Sequence, residues 1–166
     1  MTKATEFLSR AKEQAGDAVQ VVEIGGGCNN HCYFCNVLDQ PYETDFEYLA
    51  ETIRTGAAQS RTDVVLTGHE PTIHPQFVDL VKFARDTGFK RIRIETNGRL
   101  FAYPKFASAV LDAGATEIAI NLPAHSEKLA LQINPIPGAL KQTIRGLKNL
   151  LQSDSGNLTV STIVPV

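Results

Sequence analysis

VQVVEIGGGCNNHCYFC, residues 19–35, carries three signals in one stretch. Val19 to Ile24 is dense in β-branched residues and reads as a buried strand. Gly25, Gly26 and Gly27 end it in a backbone free to turn. Cys28, Cys32 and Cys35 follow at C-x3-C-x2-C spacing, and they are the chain's 3 cysteines among 166 residues. A strand therefore delivers every thiol to one irregular loop at its C-terminal end. Three thiolates there, with backbone amides left over to hydrogen-bond sulfides, suit a metal ion or an iron-sulfur cluster. An odd cysteine count without a secretory signal argues against a disulfide framework. The glycine run is not a dinucleotide fingerprint, because cysteines and not a helix follow it.

Downstream of the loop, helix and strand patterns alternate. Thr44-Asp45-Phe46-Glu47 has the form of a capping box, and Phe46, Leu49, Ala50, Ile53 and Ala57 repeat at helical spacing. Asp63 to Thr67 is a second short strand, followed by GHEPTIHP and a helix with Phe77, Leu80, Val81 and Ala84 inward and Gly88 as its stop. Arg91 to Thr96 alternates with period two and ends at Asn97-Gly98. Tyr103 to Asp112 forms a helix with Pro104 in its first turn and Gly114 beyond its end. Glu117 to Asn121 is strand four. Asn134 to Gly138 is a rigid loop, Ala139 to Leu151 a helix, and LTVSTIV (158–164) a fifth strand. Upstream, Ala4, Phe7, Leu8, Ala11 and Ala15 mark a short amphipathic helix within residues 1–17, outside a core over 18–166.

Short strands alternating with helices imply an α/β fold of parallel strands joined by right-handed crossovers. The polar and glycine-rich stretches all follow strands, so they gather at the C-terminal edge of one sheet, where parallel folds place their sites. With 43% hydrophobic residues and a net charge of -2, an ordinary globular chain is expected. That balance gives no electrostatic case for nucleic acid or an anionic membrane. The N-terminus lacks a signal peptide or membrane span, which makes a cytoplasmic location the expectation.

The C-x3-C-x2-C spacing, with Phe34 directly before the last cysteine, resembles the signature of the radical S-adenosylmethionine (radical SAM) superfamily. That resemblance implies a partial TIM-type (βα) barrel, of which about five parallel strands are present and the sixth unit is missing. The strand at that edge then needs a cover: more chain, a partner or a second copy. It also implies a 4Fe-4S cluster on Cys28, Cys32 and Cys35, with one iron left open for SAM. Reductive cleavage of SAM to a 5'-deoxyadenosyl radical, fed by a low-potential donor such as a flavodoxin or ferredoxin, would follow. The substrate is left open by the resemblance.

Further positions carry the likeness. Gly68-His69-Glu70 resembles the GGE segment whose backbone and acid hold the methionyl amine; here His69 replaces the middle glycine, where a positive φ would be costly. Thr96, Asn97 and Asn121 match positions that face the methionine carboxylate and the ribose hydroxyls. Tyr33 and Phe34 sit where the cluster loop packs against adenine, and Ile163, at the end of Ser161-Thr162-Ile163, where backbone contacts to adenine are made.

The residues also admit other readings. A structural zinc site could use the three cysteines with His31 or His69 as fourth ligand. His31, His69 and His125 read equally as solvated loop histidines. Arg93 and Glu95 alternate with Ile92 and Ile94, so they point into the barrel as a structural ion pair or as substrate contacts.

Overall fold

The computed structural model of the chain describes residues 18–35, 45–153 and 158–163. The helix expected within residues 1–17 lies outside the described residues. Five strands, β1 (Val19–Ile24), β2 (Asp63–Gly68), β3 (Arg91–Thr96), β4 (Glu117–Asn121) and β5 (Thr159–Ile163), form one sheet in that order. Every neighbouring pair is parallel. Between them run α1 (Phe46–Ala58), α2 (Phe77–Thr87), α3 (Pro104–Ala113), and the pair α4 (Glu127–Ile133) and α5 (Ala139–Leu151). The result is an open parallel sheet, consistent with a partial TIM-type barrel.

Alternation decides which face is buried. Val22, Ile24, Val64, Leu66, Ile92, Ile94, Ile118 and Ile120 are each at most 1% exposed and share one core with Leu49, Ile53, Leu80, Val81, Val110 and Leu150 of the helices. Burying each such side chain is worth about 1.5–3 kcal/mol. The intervening residues line the other face, where charges are matched. Glu117 receives Arg91 at 3.0 Å and Arg93 at 2.7 Å; Arg93 also reaches Glu95 at 3.1 Å, and Arg91 reaches Asp63 at 3.1 Å. Arg93 and Glu95 thus belong to an ion ladder with Glu117, a partner that the alternation pattern did not reveal.

Two details differ from the sequence reading. The N-cap of α1 is Asp45, one residue later than the capping box implied: its Oδ1 accepts from the backbone N–H of Glu47 at 2.9 Å and of Tyr48 at 3.3 Å. Helix α4 falls where the sequence reading assigned no element, between strand four and the loop at Asn134. It has 7 residues, buries only Ala130, and is capped by Ser126, so it offers hardly one period of apolar pattern to detect. Among the described residues, no helix is long and apolar enough to cross a membrane.

Candidate functional site

The turn after β2 is built onto the strand that leads to the cysteines. The backbone N–H of His69 donates to Ile24 O and that of Glu70 to Gly27 O, each at 3.2 Å. Such close approach needs Gly68: its φ is +123°, and a Cβ there would lie 2.4 Å from Ile24 O. His69 escapes the conformational cost considered for it, since Ser60 is the one described non-glycine residue with positive φ.

Glu70 turns inward from this turn and is 1% exposed. Its Oε1 accepts from the hydroxyls of Thr72 and Thr96 and from Thr72 N at 3.2 Å, while Oε2 accepts from Asn97 N at 2.7 Å. The carboxylate therefore ties the end of β2 to the end of β3. Burial pushes its pKa up, against the pull of these four donors in the other direction.

Asn97 and Arg99, just after β3, hold the cysteine loop. Asn97 Nδ2 donates to Asn29 Oδ1 at 2.6 Å and approaches Cys28 Sγ at 3.9 Å. Arg99 Nη1 donates to Asn29 O and to Asn30 Oδ1 at 2.9 Å, and its Nε donates to Gln142 Oε1 of α5 at 2.7 Å. From the far side, Asn134 Oδ1 accepts from His31 N at 2.8 Å, and Ile133 O accepts from Tyr33 N at 3.0 Å. Arg99 and Asn134 escaped the sequence reading as loop supports. Their partners lie 69–103 residues away in sequence, and no local pattern marks such a pairing.

Cys28, Cys32 and Cys35 are all free thiols and all partly exposed. Burial raises the pKa of Cys28 most, and the neighbouring Glu70 and Cys35 add to it; burial, then Cys28 and Cys35, raise that of Cys32. Asn30 N donates to Cys28 Sγ at 3.3 Å, the amide-to-sulfur bond expected around a cluster thiolate. Three free thiols on one short loop, able to lose their protons to iron, are a donor set that fits a 4Fe-4S cluster. Among the described residues, no group of three or more His, Cys, Asp or Glu side chains, the three cysteines included, is already gathered as a metal site.

The remaining expected residues lie on the same edge. Thr96 ends β3, Asn121 ends β4, and Asn121 is in register with Ile163 at the end of β5. Tyr33 is 77% and Phe34 42% exposed, with their rings edge to face at 5.7 Å, so both aromatic surfaces are accessible. His31 and His125 are exposed, as solvated loop histidines would be.

Known proteins share both sequence and fold with this chain. A probable GTP 3',8-cyclase of Sulfurisphaera tokodaii is 24% identical over 129 residues, covering 76% of this chain and 40% of that protein. An AdoMet-dependent heme synthase of Methanosarcina barkeri is 23% identical over 136 residues, covering 80% of this chain and 38% of its own. The chain thus spans about two fifths of the length of these relatives. Streptococcus suis SuiB bound to S-adenosylmethionine superposes with a TM-score of 0.69 at 16% identity, over 97% of this chain and 37% of SuiB. Methylornithine synthase (PylB) gives 0.64 at 17% identity, over 87% of this chain and 43% of its own. The sequence pattern of the radical SAM superfamily extends over residues 22–166, from within β1 through the cysteine loop and all later strands, and by that match this chain belongs to the superfamily.

Proposed function

We propose that this chain is the core of a radical SAM enzyme, with Cys28, Cys32 and Cys35 holding a 4Fe-4S cluster and the ends of β2 to β5 receiving SAM. The observation that carries this reading is the cysteine loop itself: three free thiols on a loop that hydrogen bonds to Asn97, Arg99 and Asn134 hold at the C-terminal end of β1. When bound, the cluster and SAM together supply a 5'-deoxyadenosyl radical for hydrogen abstraction, the cofactors carrying the difficult chemistry.

The chain's own residues bind and orient. The three thiols would give up their protons on ligation. At the turn after β2, backbone carbonyls are the acceptors for the methionyl ammonium, while Glu70 acts by holding Gly68 and His69 in place. Asn97 keeps the loop in position through Asn29 and leaves Asn121 and the strand-end backbone near Ile163 for the ribose and adenine. Tyr33 and Phe34 offer ring faces to the base. An external low-potential donor, of flavodoxin or ferredoxin type, delivers the electron.

The test is anaerobic reconstitution with iron and sulfide, then SAM and dithionite, with assay for 5'-deoxyadenosine. Wild-type protein forms it and Cys32→Ala does not. Tight zinc binding with no iron-sulfur cluster under the same conditions would overturn the proposal.

A further inference from the structure

We propose that Arg99 is the positioning residue of the cysteine loop, locking the backbone between the first two thiols onto helix α5 and placing a fixed positive charge beside the cluster. The inference rests on the reading of the cysteines given above.

Its geometry is that of a two-sided clamp. One edge of the guanidinium donates to Asn29 O and Asn30 Oδ1, both between Cys28 and Cys32; the other donates through Nε to Gln142 of α5. The base of the clamp is itself fixed. Arg99 N donates to Asn97 Oδ1 at 3.0 Å, and Thr143 of α5 donates its hydroxyl to Asn97 O at 2.8 Å. Helix α5 approaches this turn so closely that a Cβ on Gly146 would lie 2.3 Å from Gly98 O.

Residues 29 to 31 form neither helix nor strand, so side-chain contacts hold them: the bonds from Arg99, that of Asn97 to Asn29, and that of His31 N to Asn134. The loop's internal bonds, Asn30 N to Cys28 Sγ and Cys35 N to Cys32 O, do not reach the sheet or α5. A planar fork donating in two directions at once is what lysine cannot reproduce, and arginine keeps its charge at every accessible pH. A cation next to a cluster favours the reduced, more negative state, so Arg99 also raises the cluster's reduction potential.

The experiment compares wild type, Arg99→Gln, Arg99→Lys and Gln142→Ala after anaerobic reconstitution. It reads iron loss to a chelator and the midpoint potential, and in the cluster-free proteins the amide exchange of residues 28–35. Arg99→Gln should lose iron about ten- to hundred-fold faster than wild type, the usual effect of removing an outer partner of a metal site. Its midpoint potential should fall, and amides 29–31 should exchange faster even without cluster. Arg99→Lys should recover the potential but only part of the iron retention, and Gln142→Ala should shift retention alone, in the same direction. Wild-type retention and potential in Arg99→Gln would overturn the inference. Should that variant fail to fold, unchanged iron retention in Gln142→Ala would do so instead. A wild type that takes up no cluster would overturn the reading of the cysteines, and the cluster-free exchange would then judge the clamp alone.

Discussion

Four donors converge on the Glu70 carboxylate, and water hardly reaches it. Both facts bear on its protonation, in opposite directions, and burial prevails, so the folded-state pKa stands above the ordinary glutamate value of about 4.3. A raised folded pKa means that the carboxyl contributes most to stability below the unfolded value, and that this contribution is lost as pH rises through the folded one. Glu70→Gln keeps the shape but turns an N–H₂ toward donors, which should cost about 1–3 kcal/mol for the unsatisfied group. The wild-type advantage over Glu70→Gln, read from thermal midpoints across a pH series, should therefore shrink from acid toward neutral pH. Growth of that advantage with pH would show that the donors outweigh burial. Glu70 illustrates what a sequence reveals at this scale. Its place in the turn after β2 was legible from the Gly68-His69-Glu70 segment that follows the strand, as the thiols were from their spacing. Its inward rotation was not, because Thr96 and Asn97 lie 26 and 27 residues on and only folding brings them to it.

Strands were the most legible elements, because two-residue alternation of isoleucine and valine with polar residues reports a half-buried sheet directly. Helix α4 was illegible for the opposite reason: one buried alanine makes no period. Helix α5 shows a third case. Its apolar repeat predicted its bounds, yet not that Gly146 is where it presses on the turn after β3. Two effects compete at that position. Glycine inside a helix is about 1 kcal/mol worse than alanine. A Cβ at Gly146, however, would meet Gly98 O at 2.3 Å, a backbone atom held in place by neighbouring hydrogen bonds. Overpacking of this kind costs about 1–3 kcal/mol. Gly146→Ala should therefore lower the denaturant midpoint in spite of the better helix former. A midpoint raised by the substitution would mean that the turn yields freely, and that α5 is no brace for it.

Across the whole sheet the tying is uneven. Among the described residues β2, β3 and β4 each have two strand neighbours, whereas β1 and β5 have one. The inner strands are joined a second time on the charged face, where Glu117, 8% exposed, is held by Arg91 and Arg93 from β3. Such a buried carboxylate adds little by itself, but separating the strands would leave it without its cations. Among the described residues strand β5 shows no such tie: Thr159 and Thr162 are exposed, and its strand pairing is to β4. Regions with few buried contacts open at lower free energy than the core. In cluster-free protein, amides of β3 and β4 should exchange at rates set by global unfolding, and those of β5 orders of magnitude faster. The order matters for function, because Ile163 ends the strand that opens first and Asn121 the strand beside it. If Ile163 takes part in holding SAM, adding SAM to the reconstituted protein should slow β5 more than β3, since a ligand that binds only the closed form stabilises what it touches. Equal protection of β5 and β3 before any ligand is added would show that the edge is already held, and that the last strand is as much a part of the core as the first four.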